Sequence, residues 1–185
     1  MTDKEISALL LIDCQEGFSD WDYWGGNRNN PDLESNLQKL LENYRERNLP
    51  IIHIIHHSND PDSILRTDKT TGTIMKGLTP QANEAVFEKR ENSAFVGTNL
   101  NVYLRRKNIN NLTIAGLTTN HCVSTSTRMA GNLGYDVRLV GDACATFDRI
   151  GPTGSKFDSQ LIHDISLSDL HNEFCKVTSV TDSMI

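Results

Sequence analysis

No apolar run in this 185-residue chain approaches the roughly 20 residues that a membrane helix needs. Basic residues are in the minority: 18 Lys and Arg stand against 24 Asp and Glu, a net charge of −6. No basic patch stands out, so neither nucleic acid nor an anionic membrane is expected as a partner. The four cysteines, at 14, 122, 144 and 175, are widely spread and form no CxxC pair. The opening MTDKEISALLLIDC has an apolar run too short for a signal peptide, and it ends in an acid. Reduced thiols in the cytoplasm are therefore expected. No internal repeat and no low-complexity linker occur. A glycine-rich phosphate loop is missing as well. Asp13-Cys14-Gln15-Glu16-Gly17 carries one glycine and two acids, which would repel a phosphate. That disfavours a non-catalytic Rossmann-like binding module.

What is there suits one domain over residues 1–185, with a full hydrophobic core. Short apolar runs alternate with helical patterns. Ala8–Asp13 reads as a strand buried on both faces. Pro31–Asn48 reads as a helix, with Asn30 as its cap, Pro31 in first position and Leu33, Leu37, Leu40, Leu41 and Tyr44 as its apolar stripe. Ile51–His57, Ala85–Lys89, Leu112–Ala115, Asp136–Val140 and Lys176–Val180 supply five further strands. Helices are expected over Asn99–Lys107, Val123–Leu133 and residues 158–173. Residues 58–80 are polar and read as a long surface loop. Strands alternating with helices predict an α/β fold: a three-layer, doubly wound, Rossmann-like parallel sheet with helices on both faces. Ligands of such sheets bind beyond the carboxyl ends of the strands. The polar residues there are Asp13, Lys89, Cys122 and Asp142.

Cys122 lies in GLTTNHCVSTST, residues 116–127, at the turn from a strand into a helix. Its neighbours are threonines, an Asn, a His and hydroxyls, an odd wrapping for a structural thiol. At a helix start beside a cation, a cysteine pKa is expected to fall from ~8.5 into the range ~3.5–7.5. Backbone N–H groups of such a turn converge on one spot and can stabilise an oxyanion. The plain alternative is a small buried thiol. Asp13 reads as a general base beside that thiol or as a turn residue. Lys89 reads as the cation that holds the pair ionised or as a solvated lysine. His121 is adjacent to the thiol, but neighbours on a turn rarely face each other, which weakens a Cys–His dyad. Cys14, Cys144 and Cys175 read as core residues.

These residues carry a resemblance. LLLIDCQEGF, KRENSAFVGTNL, IAGLTTNHCVSTSTRMAGNLGYDVRLVGDAC and the closing IHDISLSDLHNEFCKVTSV resemble the isochorismatase-like cysteine hydrolase superfamily, in the right order and over nearly the whole chain. The resemblance implies a six-stranded parallel sheet and a catalytic triad of Asp13, Lys89 and Cys122. It implies a cis peptide at Leu117–Thr118 and an oxyanion hole made by the backbone N–H groups of Thr118 and Cys122. It also implies a homo-oligomer. Two departures matter. True isochorismatases lack the cysteine, so Cys122 argues against that activity. The usual Thr-Asp before the cysteine is Thr119-Asn120 here, which puts an acidic role at position 120 in doubt.

The expected reaction is hydrolysis of an amide, N-carbamoyl or ureido C–N bond of a small molecule through a thioester. Pocket walls are sought in GFSDWDYWGG, which supplies Phe18, Trp21, Tyr23 and Trp24. The same loop could instead be pinned at a subunit contact. His57, Phe95 and Thr119 are further pocket candidates, and Phe147 a weaker one. The competing reading within the superfamily is a metal-dependent nicotinamidase. Nicotinamidases place an Asp two residues before a His at the end of the second strand, whereas Ile51 and Ile54 stand there. In an extended strand His53 and His57 lie ~13 Å apart, too far to share one zinc, and His56 points to the other face. No metal and no cofactor are expected.

Overall fold

The core strand is apolar on both faces because it is covered on both faces. Ala8, Leu9, Leu10, Leu11 and Ile12 are all buried in β1 (Ser7–Ile12). In the computed structural model, which describes residues 7–184, β1 pairs in parallel with β2 (Ile51–His56) and β4 (Asn111–Leu117). The expectations for residues 1–6 and for residue 185 lie outside the described residues. The remaining strands are β3 (Ala85–Lys89), β5 (Asp136–Ala145), β6 (Arg149–Ile150), β7 (Lys156–Phe157) and β8 (Lys176–Thr178). The helices are α1 (Trp21–Trp24), α2 (Leu33–Glu46), α3 (Leu100–Arg106), α4 (Ser124–Asn132), α5 (Ser159–Leu170) and α6 (Val180–Ser183).

The six-stranded parallel sheet runs β3-β2-β1-β4-β5-β8, with β6 and β7 as a separate antiparallel hairpin. Leu9 and Leu11 pack with the α2 stripe and Val180 of α6. Ala8, Leu10 and Ile12 pack with Leu100 and Leu104 of α3, Ala130 of α4 and Leu170 of α5. This is the doubly wound, three-layer arrangement. Strand order reverses between β1 and β4, which puts the ligand-binding edge beyond their carboxyl ends. No helix among the described residues is long and apolar enough to cross a membrane.

Several boundaries shift. Helix α2 begins at Leu33, and Asp32 precedes it. Asn30 does not cap it; its side chain donates to the Gly141 and Cys144 carbonyls at 3.1 and 2.6 Å, tying the segment to β5. The last strand stops at Thr178, because Ser179 caps the turn α6 and Asp142 Oδ1 accepts the Val180 N–H at 2.8 Å. Residues 58–80 are more than a surface loop. Leu65, Met75 and Leu78 are buried against Cys14 and Phe18, and Met75 N–H donates to the Cys14 carbonyl at 2.9 Å.

Two histidine positions follow from this frame. His53 is buried and meets Glu84 at 2.8 Å, beside Arg45 of α2 at 2.6 Å. Burial raises the Glu84 pKa, but hydrogen bonds from Arg45, the Gln81 N–H and His53 outweigh it and hold the carboxyl at about 2. His57 pairs with Thr67 Oγ1, which in turn donates to Glu88 at 3.0 Å.

Candidate active site

Asp13, Lys89 and Cys122 come from three different strand ends, and the sheet brings them together. β1 stops at Ile12, and Asp13 takes a left-handed conformation with φ 50°. That conformation is unusual outside glycine but tolerated by Asp. It breaks the alternation, so Cys14 joins Leu9 and Leu11 on the α2 face and Asp13 turns to the strand edge. Lys89 ends β3, two strands away, and its side chain must cross the end of β2 to reach Asp13. Cys122 sits inside a single π-helical turn, Thr119–Val123, rather than just ahead of a regular helix. Gly116 lets that turn approach. A Cβ there would lie 2.0 Å from the Ile12 carbonyl oxygen, and its φ is +128°. The Leu117–Thr118 peptide that follows is cis.

The Lys89 ammonium is the hub. Its Nζ is 2.8 Å from Asp13 Oδ2, 3.3 Å from Cys122 Sγ and 3.0 Å from His56 Nδ1. The Asp13–Lys89 pair is fully buried. A carboxylate oxygen of Asp13, a ring nitrogen of His56 and the Cys122 sulfur lie within 4.8 Å of one another. Asp13 Oδ1 is buried and has no hydrogen-bond partner. The Cys122 sulfur also faces Asn92 Oδ1 at 3.7 Å. His121 turns away toward Arg149, its Nδ1 3.2 Å from the guanidinium.

The electrostatics reverse one sequence expectation. The Cys122 pKa is raised, not lowered: burial acts first and the Asp13 carboxylate second, against the pull of Lys89. Burial likewise raises Asp13, opposed by the Lys89 charge and its hydrogen bond. The reason is charge balance. One buried cation supports one buried anion, and a second anion has nothing to pair with. The two raised values together disfavour a carboxylate and a thiolate existing side by side here.

A cavity of about 250 Å³ opens over the sulfur. Phe18, Tyr23, Trp24, His56, Asn92, Thr118, His121 and Cys122 line it, together with Ser58, Asp60, Ser63 and Leu65 from the long loop. Phe18 and Trp24 stack at 4.6 Å, and Trp24 donates to the Gly17 carbonyl at 2.9 Å, which fixes the aromatic wall.

Five candidates fall outside this lining. Trp21 is exposed and packs under the Arg28 guanidinium at 5.0 Å. His57 is held by Thr67, as above. Phe95 stacks on Tyr135 at 5.9 Å in the core beneath α3 and α4. Thr119 is buried, with its hydroxyl 2.8 Å from His163 Nδ1. Phe147 is buried behind the wall, its ring 6.1 Å from Trp24. At position 120 the amide still serves as an acceptor, since Thr146 donates to Asn120 Oδ1 at 2.6 Å.

His56, Gln15 and Asn92, with Ser58, Asp60, Ser63 and Leu65 of the long loop, escaped the sequence reading of the site. His56 stands opposite Lys89 in the β2–β3 register, so the two share a face at neighbouring strand ends. Buried Gln15 clamps the His56 backbone: its Nε2 donates to the His56 carbonyl at 3.0 Å, and its Oε1 accepts the His56 N–H at 2.8 Å. For His56 and Gln15, a pair of adjacent polar residues, one at each strand end, was the only available signal.

Comparison with known proteins agrees with this architecture. The chain is 40% identical over 182 residues to the isochorismatase family protein YrdC of Bacillus subtilis, covering 98% of this chain and 96% of that one. It superposes with TM-score 0.93 on a crystal structure described as a putative hydrolase of the isochorismatase family from Chromobacterium violaceum. The two are 37% identical, with 98% and 93% of the chains covered. It is 26% identical over 158 residues to nicotinamidase 3 of Arabidopsis thaliana, covering 78% of this chain and 76% of that one. With the isochorismatase domain model matching residues 7–182, the chain belongs to the isochorismatase family of hydrolases.

Proposed function

We propose that the protein is a cysteine-dependent hydrolase of an amide, N-carbamoyl or ureido C–N bond in a small molecule. One observation carries the reading. A single buried ammonium bonds both a thiol and a carboxylate at the floor of a cavity that the thiol lines. A purely structural ion pair needs neither a thiol on the same ammonium nor a cavity above it.

The reaction runs in two halves. Asp13 Oδ1 takes the thiol proton while the sulfur attacks the carbonyl carbon. The Lys89 ammonium offsets the single negative charge as it passes from Asp13 to the oxyanion. Backbone N–H groups of Thr118 and Cys122 hold the tetrahedral oxyanion. Asp13 then gives its proton to the leaving nitrogen, the C–N bond breaks and a thioester remains. Water, deprotonated by Asp13, attacks the thioester. The acid leaves and the proton returns to sulfur. A cavity of about 250 Å³ suits a small substrate. The test is ammonia release from a panel of small amides, ureas and N-carbamoyl compounds, with Cys122→Ala as control. No release from any of them, or release by the control, refutes the reading.

A metal-dependent mechanism is the alternative, and the donor set speaks to it. Asp13, His56 and Cys122 converge closely enough to hold an ion. Each already accepts from, or contacts, the Lys89 ammonium at 2.8–3.3 Å. A divalent ion there would meet the buried lysine charge at close range. Hydrolysis is therefore expected to survive exhaustive dialysis against EDTA. Activity lost on chelation and restored by zinc, manganese or iron would promote the metal reading.

A further inference from the structure

His56 is the third partner of the triad lysine, and nothing in the reaction above uses it. Its position is not accidental in this fold. The β2–β3 register sets it beside Lys89, and Gln15 fixes its backbone through two hydrogen bonds. The lysine contact decides its chemistry. An ammonium only donates, so His56 Nδ1 is an acceptor and the ring proton sits on Nε2. Burial first, and then the Lys89 and His57 charges, lower its pKa to about 4, so the ring is neutral near pH 7. The Nε2–H has no protein acceptor among the described residues, and His56 lines the cavity above Cys122. It is the ring donor left free to meet a substrate in that cavity.

We propose that His56 is a positioning and specificity residue: Nδ1 holds Lys89 over Asp13 and Cys122, and Nε2–H binds an acceptor atom of the substrate beside the scissile bond. The second half rests on the hydrolase reading; the first half does not. The substrates selected are those with an oxygen or nitrogen acceptor flanking the C–N bond, such as a ureido carbonyl or a second acyl oxygen. Simple alkyl amides lack that atom and are used poorly.

Two near-isosteres separate the halves. In His56→Asn the amide oxygen takes the place of Nδ1, so the lysine contact survives and the cavity donor is lost. In His56→Gln the amide nitrogen reaches the place of Nε2, so the donor survives and the lysine contact is lost. His56→Phe loses both. The first readout needs no substrate: the rate of Cys122 alkylation by iodoacetamide. The expectation is a rate near wild type for His56→Asn and about a tenfold fall for His56→Gln and His56→Phe, the effect of stranding one buried donor. The second readout is KM and kcat on the best amide of the ammonia panel. His56→Asn is expected to raise KM about tenfold while changing kcat less. Alkylation of His56→Phe at the wild-type rate would overturn the lysine-holding role. An unchanged KM in His56→Asn would overturn the specificity role. Failure of the hydrolase reading is seen separately, as turnover that survives in Cys122→Ala.

Discussion

Cys122→Ala is expected to lower hydrolysis by about ten-thousand-fold or more, because loss of a nucleophile removes the covalent route and leaves only binding and the oxyanion donors. The melting temperature should barely move. Cys122 lines an open cavity, so its truncation encloses no new void, and the change stays well below the cost of a core truncation. Activity loss with an unchanged thermal transition is the predicted pair of results. The thiol is also expected to be the first alkylated. Cys14, Cys144 and Cys175 are buried, whereas Cys122 lines the open cavity with a carboxylate beside it, so access and a neighbouring base favour it. Preferential labelling of any of these would remove Cys122 from its proposed role.

Lys89→Met is expected to be damaging in a more revealing way. Methionine fills a similar volume but carries no charge, so Asp13 loses its partner and must take up a proton to stay buried. Stability should fall by about 3–5 kcal/mol, the usual cost of breaking a buried ion pair. Activity should fall by about a hundredfold or more, because Asp13 then holds its own proton and cannot accept the thiol's. The double variant Asp13→Asn with Lys89→Met removes both charges. It is expected to regain much of the stability while remaining inactive, which separates catalysis from folding. Wild-type stability in the single variant would mean that the buried pair is not what the geometry indicates.

The pH dependence follows from the directions of the two shifts. Moving a proton from Cys122 to Asp13 leaves the proton count of the pair unchanged. The alkylation rate of Cys122 should therefore be flat from about neutrality to about pH 9, instead of climbing through an ordinary thiol pKa near ~8.5. It should fall on the acid side as Asp13 takes up a proton from solvent, and that limb lies above the ordinary carboxylate range because the Asp13 pKa is raised. A rate that rises steeply between about pH 7 and 9 would show an independent thiol.

The sheet and the strand ends were legible because their signals are local. Ala8–Ile12 is continuously apolar, and Asp13 ends it. Val86, Phe87 and Lys89 and the run before Cys122 read the same way. What lies between strands was not legible. The opposition of His56 to Lys89 depends on a register between segments 33 residues apart, which no local pattern encodes. Alternation did put His56 on the face away from His53 and His57, but only the register shows that this face carries the lysine. Thr119 and His163 pair across 44 residues in the same way. The thiol's acidity was misjudged for a related reason. A helix start argues for a lowered pKa, but burial and the Asp13 charge act through the fold and dominate. The long loop misled through its composition: Leu65, Met75 and Leu78 are few among polar residues, yet they are the ones that dock it.

The covalent step is the centre of the account, and interception of the thioester tests it most directly. Hydroxylamine added during turnover should divert the acyl group to a hydroxamate, or a carbamoyl group to hydroxyurea, whether or not the intermediate accumulates. The account predicts that wild-type enzyme forms this product, that hydroxylamine does not slow ammonia release, and that Cys122→Ala forms none. Ammonia released with only the free acid as product, at every hydroxylamine concentration, would contradict a thioester on Cys122.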